Sequence, residues 1–188
     1  MFKLSCFKPR FMPKPKQPSN QLAIFDARET ASSLARLRPG YLPLSVFLEV
    51  ARLVVLPIIE LVPLRTHRSH IQLLMCRRPS DHPTWPSQIH TPGTVIRATD
   101  DSIDSVIQRL IEDELHGVET GPFVFVESLL HQSLRGAEFA QVYWVEVLGE
   151  PKIGKYYDVD SLPANIVTSQ LPFINEAIEH YKANYHPR

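Results

Sequence analysis

Residues 92–118 read PGTVIRATDDSIDSVIQRLIEDELHGV and contain the clearest helix of the sequence. Asp101 or Ser102 can cap the first turn, and Gly117 can adopt the left-handed conformation that ends many helices. Between these positions apolar residues recur at steps of three and four, which places them on one side of a helix. The stretch therefore predicts a loop, a helix over 100–115 and a second loop.

The segments on either side of this helix have the composition of strands and further helices. Strands are predicted over 56–64, 70–76, 122–126 and 140–148, and helices over 26–37, 43–54 and 172–183. Pro57 and Pro63 restrict the first strand to a sheet edge, or lie at its ends, because proline cannot donate a ladder hydrogen bond. Strands flanking a central helix, with a helix at each end, predict a mixed α/β (α+β) sandwich.

The length and charge of the chain limit its organisation. With 188 residues it has room for one domain and a tail. Its 20 basic and 20 acidic residues give no net charge, so nothing steers it toward nucleic acid or an acidic membrane surface. We predict a basic, proline-rich flexible tail over 1–20, a helical extension over 21–55 and a domain over 56–188.

Several features favour a soluble protein. The longest apolar region, 44–64, contains three charged residues and two prolines, and each charge would cost about 2.5–3.5 kcal/mol at a bilayer centre. Residues 1–20 lack the apolar stretch of a secretory signal. Cys6 and Cys76 are too far apart in sequence to suggest a metal motif. We therefore expect a cytoplasmic protein.

The stretch 92–118 also resembles a Nudix box, a signature of Gly, five residues, Glu, seven residues, and then Arg-Glu-apolar-any-Glu-Glu-any-Gly-apolar. In the best alignment Gly93 takes the first glycine, Asp101 takes the isolated Glu and Arg109 takes the Arg. The Glu-Glu pair falls on Asp113 and Glu114, and the closing pair on Gly117 and Val118.

This alignment has several departures from the signature. Two extra residues separate Gly93 from Asp101, and His116 is one extra residue before the closing glycine. Thr94 replaces the usual second glycine, and Leu110 replaces the Glu that follows the Arg. The flanking strands HIQLLMCRR and VYWVEV nevertheless resemble those of the family. Extending over about 56–183, the resemblance implies a Nudix-like α/β/α sandwich with a mixed central sheet.

The resemblance implies a metal site on the predicted helix. Carboxylates at positions i, i+3 and i+4 share one helical face and can hold Mg²⁺ or Mn²⁺ against a diphosphate. Asp113 and Glu114 are the implied metal ligands, and with Arg109 they are the implied catalytic residues. Arg109 could orient one of the two acids through a bidentate pair. Leu110 can neither bind a metal nor act as a base.

Other site residues remain open at this stage. The general base could be Glu127, Glu138 or Glu146, on or beside the later strands. The implied substrate-binding residues are Arg77, Arg78, Trp85 and Gly93. The two arginines and the tryptophan each have a structural alternative, because arginines often end strands and a tryptophan in a proline-rich loop often plugs that loop.

The resemblance leads to two functional hypotheses, and a third hypothesis treats the chain as unrelated to the family. The first is a Mg²⁺-dependent hydrolase of a pyrophosphate link in a nucleoside diphosphate derivative. The second is a binding or regulatory module that keeps the fold without the chemistry, as the leucine in place of the box Glu suggests. The third treats the box as coincidence in an unrelated α/β domain. The expected partner is a nucleotide-type small molecule, with a homodimer also open and no membrane or specific nucleic acid indicated.

Overall fold

The computed structural model describes residues 20–185, with side chains from residue 27 onward. The predicted tail lies outside this range apart from Asn20, and so does Cys6. The chain divides at Pro39 into two units. Helix α1 (Asn20–Leu34) belongs to the first unit and begins earlier than predicted.

The second unit contains three further helices and seven strands in the described range. The helices are α2 (Leu44–Leu53), α3 (Ile103–Leu115) and α4 (Leu171–Asn184), the last preceded by a 3₁₀ turn, Thr168–Gln170. The strands are β1 (Leu56–His67), β2 (His70–Arg77), β3 (Ile89–His90), β4 (Gly93–Val95), β5 (Thr120–Gln132), β6 (Ala137–Val147) and β7 (Lys155–Asp158). The predicted strands and the last helix are present, most of them longer than predicted.

The strands form one mixed sheet with helices on both faces. The order is β3-β2-β1-β6-β5, with β4 also beside β1 and β7 also beside β2. Strands β1 and β6 are parallel, and the other neighbours are antiparallel. Apolar residues of α2 and α4 pack on one face and those of α3 on the other. This confirms the predicted α/β/α sandwich with a mixed sheet.

The first strand is central, so its prolines do not mark an edge. β6 pairs along one side of β1, while the other side is shared between β4, at Ile58–Glu60, and β2, at Leu64–His67. The carbonyl of Pro57 accepts from Ile96 on this second side, so the missing N–H of Pro57 also faces that side, before the β4 pairing begins. Pro63 lies an even number of residues after Pro57, so its missing N–H faces the same side, between the pairings of β1 with β4 and with β2. Neither proline therefore costs a ladder bond.

Two features fix the ends of α3. The Ser102 hydroxyl accepts from the Ser105 N–H, and the Ser105 hydroxyl accepts from the Ser102 N–H, which forms a capping box. At the other end His116 is the C-cap with φ 53°, followed by Gly117 with φ 65°. The extra histidine thus takes a left-handed position that glycine adopts at lower cost.

Helix α2 packs into the same core as the sheet. Ala51 is fully buried there, and Phe47 packs against the cluster. None of the helices that the structure describes has both the length and the apolar character of a bilayer-crossing segment.

Candidate functional site

Arg109 holds the box loop in place. Its Nε and Nη2 donate to the two carboxylate oxygens of Asp100 at 3.2 and 2.8 Å. Nη1 donates to the Thr94 hydroxyl at 3.0 Å, and Nη2 also donates to the Val95 carbonyl at 3.3 Å. The acid paired with the box arginine is therefore Asp100 instead of the aligned Asp101. The described hydrogen bonds of Arg109 include none to Asp113 or Glu114, so Arg109 does not orient either acid.

The three positions aligned with the metal-binding face of the box have different environments. Leu110 is 1% exposed and belongs to the core cluster beneath α3. Asp113 is exposed, whereas Glu114 is half-buried. The two adjacent carboxylates therefore differ in environment, with Asp113 open to solvent and one oxygen of Glu114 buried.

Glu114 reaches toward the sheet with one unsatisfied oxygen. Its Oε2 is buried without a hydrogen-bond partner among the described residues. The nearest ring nitrogen is His90 Nδ1 at 3.9 Å, but that nitrogen donates to the Thr91 carbonyl at 2.8 Å. Burial raises the pKa of Glu114 to about 7, although the charge of Arg78 opposes this shift. Burial also lowers the pKa of His90 to about 4, so this contact joins a neutral imidazole to a carboxyl group.

Gly93 is required by a second buried carboxyl group. A Cβ atom at Gly93 would lie 2.9 Å from the carboxyl atoms of Glu60. Glu60 is 6% exposed and accepts from Gln170 Nε2 at 2.7 Å. Burial raises the pKa of Glu60 to about 8, against the hydrogen bond from Gln170. The Gln170 amide also exchanges two hydrogen bonds with the backbone of Thr91. The glycine of the box thus allows close contact with Glu60.

The two predicted substrate-binding arginines have different environments. Arg77 is exposed and donates to the Ser87 carbonyl at 2.8 Å, so it braces the proline-rich loop. Arg78 turns inward, with its guanidinium carbon 5.3 Å from the centre of the Trp85 ring. Trp85 is only 6% exposed, so its ring is not open for stacking on a ligand. Arg135, from the β5–β6 turn, lies 5.0 Å from the same ring.

Of the three candidate bases, Glu138 alone lies in this cluster. Arg135 donates to its Oε1 at 2.6 and 3.0 Å, and His131 Nε2 lies 3.1 Å from its Oε2. Glu138 is 1% exposed. Despite this burial, the hydrogen bonds and charges around it lower its pKa, so Glu138 is an ionised partner of Arg135. Glu146 accepts from the Tyr185 hydroxyl at 2.8 Å, outside the cluster, and Glu127 makes no described polar contact.

A large cavity opens beside the box strand. Its volume is about 480 Å³, within the usual range of ligand pockets. Leu44, Phe47 and Val50 of α2 form one wall, and the segment Gly93–Ala98 forms another. The charged residues among those that line it are Arg97 and Arg135, with no acid among the described lining residues. A ligand with an apolar or planar part and an anionic part would fit these walls.

Sequence reasoning missed Glu60, Gln170, Arg97 and Arg135. Glu60 had a usable signal, because it is the one acid within an otherwise apolar strand, and such a position demands a hydrogen-bonding partner. Arg135 and Gln170 had no comparable signal, since each lies far along the chain from the box and reaches the site only through the fold.

The donor set does not fit the metal that the box implied. Within the described residues no three His, Cys, Asp or Glu side chains are grouped closely enough to hold a cation. Leu110 is in the core and Asp113 is exposed to solvent. Among neighbouring charges, the guanidinium of Arg78 has the largest effect on the pKa of Glu114. A hard divalent ion prefers several converging oxygens and no fixed cation beside them. The expected Mg²⁺ or Mn²⁺ site on Asp113 and Glu114 therefore stays a prediction that this geometry does not support.

The sequence matches no protein-family model, and no curated protein matches it either. Solved structures do match. The NUDIX domain of Shewanella oneidensis NrtR, complexed with ADP ribose, is 18% identical with a TM-score of 0.54, covering 80% of this chain and 97% of that one. Against the longer S. oneidensis NrtR chain, the match covers 64% of that protein.

Two other similar structures are those of an Ap4A hydrolase and a MutT protein. The C. elegans Ap4A hydrolase is 12% identical with a TM-score of 0.51, covering 69% of this chain and 98% of that one. The MutT protein from Methanosarcina mazei Go1 is 13% identical with a TM-score of 0.51, covering 68% and 96%. Together with the sheet order and the box helix, these likenesses show that the chain has the Nudix fold.

Proposed function

We propose that this chain binds a small molecule of the nucleoside diphosphate class in the cavity beside the box strand, and that binding is its main activity. The observation that carries this proposal is the charge pattern of the cavity: apolar walls with Arg97 and Arg135 as the charged residues described in its lining. Arginine side chains suit phosphate, and apolar walls suit the rest of such a ligand.

The box itself favours binding over hydrolysis. Leu110 stands where the family signature has an acid, and its side chain is part of the core. Removal of a general base alone costs about 10² to 10⁴ in rate. The similar NrtR domain was crystallised with ADP ribose, so ADP-ribose is the first ligand to test.

Hydrolysis of a pyrophosphate link is the second candidate. Asp113 and Glu114 retain acids at two aligned positions, and the similar structures include an Ap4A hydrolase and a NUDIX hydrolase from Nitrosomonas europaea. Under this hypothesis, Mg²⁺ or Mn²⁺ on these acids would supply charge stabilisation for attack of water on phosphorus. The residues Leu110 and Arg109 contribute nothing direct to that step, because one is in the core and the other holds the loop.

One experiment separates the two candidates. Titration calorimetry with ADP-ribose, ADP and Ap4A would be run with excess EDTA and again with Mg²⁺ or Mn²⁺, and the same samples analysed for products by chromatography. We expect saturable binding in EDTA and no product. Binding that requires the metal and yields a nucleoside monophosphate would replace the binding proposal with the hydrolase. No binding of any of these ligands would refute the proposal.

A further inference from the structure

Two unsatisfied polar atoms lie close to the buried centre of the site. Arg78 Nε is buried without a hydrogen-bond partner among the described residues, and so is Glu114 Oε2. The described salt bridges include none from Arg78 to a carboxylate within 4.0 Å, and its one described side-chain bond joins Nη1 to His82 Nε2 at 3.2 Å. Arg78 therefore has donor capacity that its protein neighbours leave unused.

The second arginine of the cluster is more firmly held. The Nε and Nη2 atoms of Arg135 both donate to Oε1 of Glu138, which is 1% exposed, and its guanidinium carbon lies 5.0 Å from the centre of the Trp85 ring. Trp85 thus lies near both guanidinium groups. Planar guanidinium groups held in this way are suited to phosphate oxygens.

A small pocket lies beside these arginines and shares three lining residues with the large cavity. It has a volume of about 20 Å³ and is lined by Arg78, Arg135, Gly93 and Thr94, and also by two carboxyl groups. Of these, Glu60 has a pKa that burial raises to about 8, and Glu138 is paired with Arg135. That volume holds about one water-sized atom. Gly93, Thr94 and Arg135 also line the large cavity, so a group bound there can place one oxygen into the small pocket.

We infer that Arg78 and Arg135 together bind a phosphoryl oxygen of the ligand, and that Arg78 provides there the positive charge that a metal would otherwise supply. This inference rests on the proposed function. It explains why the charge of an arginine with an unused donor acts on a carboxyl group that lacks its expected metal-binding companions. Phosphate binding by this chain then needs no divalent cation.

The test uses the full chain and ADP-ribose in titration calorimetry, with EDTA or with Mg²⁺. The wild-type dissociation constant should change less than about threefold between the two conditions. Arg78→Gln should weaken binding at least about tenfold, because the guanidinium charge and its donors are lost. Arg78→Lys should recover part of that loss, since it restores the charge without the planar donors. Arg52→Gln, an exposed arginine paired with Glu49 on α2, is the control and should bind as the wild type does.

A Glu114→Gln variant distinguishes the arginine from a metal. If Arg78 binds the phosphate, removing the neighbouring carboxylate should strengthen binding, because one competing anion is gone. If a metal bridges Glu114 and the phosphate, the same change should abolish binding. Thermal unfolding of each variant with and without ADP-ribose shows that the variants are folded and gives a second measure of affinity.

The outcomes separate this inference from the proposed function. Wild-type binding that Arg78→Gln leaves unchanged, or that requires Mg²⁺, overturns the role of Arg78 while ligand binding itself stands. Absence of ADP-ribose binding in both conditions refutes the proposed function and this inference together.

Discussion

The buried Glu60 should make the stability of this protein depend on pH in an unusual direction. Its side chain lies in a central strand against Gly93 and Gln170, and burial raises its pKa from the ordinary value of 4.5 to about 8. In the unfolded chain the same carboxyl group ionises near 4.5. Between these two pH values the folded state therefore holds a proton that the unfolded state has released.

The sign of the effect follows from this proton. As pH rises from about 4.5 to about 8, the contribution of Glu60 to the free energy of unfolding falls, and it levels off above the folded-state pKa. At about 1.36 kcal/mol per pH unit the full loss is about 5 kcal/mol. A Glu60→Gln variant carries no proton to lose, and its amide oxygen can still accept from Gln170.

The assay is urea unfolding at several pH values from 5 to 8.5. Wild type and Glu60→Gln share the other titrating groups, including His90 and Glu114, so their difference isolates Glu60. We expect the variant to gain on the wild type by roughly 3–5 kcal/mol across this range. Glu176→Gln, at an exposed position of α4, is the matched control and should parallel the wild type. If the Glu60→Gln and wild-type curves are also parallel, the reasoning about Glu60 is refuted.

Three further predictions concern the box segment and are checked by denaturant unfolding. Arg109→Ala should destabilise the protein by about 2–4 kcal/mol, because it breaks the partly buried pair with Asp100. The control Arg52→Ala, at an exposed pair, should cost less than about 0.5 kcal/mol. Equal losses for the two variants would contradict this prediction. Leu110→Ala should cost about 2–5 kcal/mol as a core truncation, and a negligible loss would show that Leu110 is not buried. His116→Gly should stabilise by about 1 kcal/mol, since it relieves a left-handed backbone conformation, and a loss of stability would argue against that conformation.

The sequence predicted the sandwich because local patterns determine its elements. The apolar spacing of α3, its serine cap and the long apolar strands are all properties of neighbouring residues. Of the two alternatives that Pro57 and Pro63 left open for β1, the sheet edge is wrong, because a sequence does not show which side of a strand carries each pairing. The two prolines face the side that β4 and β2 share, and this gap becomes visible only in the folded sheet.

The site was less predictable, because its residues come from distant parts of the chain. The resemblance to the box predicts roles for Arg109 and Glu114. It does not show that Arg109 pairs with Asp100, or that the charge of Arg78 acts on the pKa of Glu114. Arg135 enters from the β5–β6 turn, far along the chain from the box. The pairing of charged side chains from distant parts of the chain depends on how the fold packs them together. The spacing of residues along one sequence does not show this.

The most direct test of this account is a crystal structure of the full chain with ADP-ribose and Mn²⁺, using anomalous scattering to locate the metal. We expect ligand density in the cavity beside Gly93, with phosphate oxygens on Arg78 and Arg135 and no anomalous peak at Asp113 or Glu114. A manganese peak joining those two acids to the ligand phosphates would contradict it.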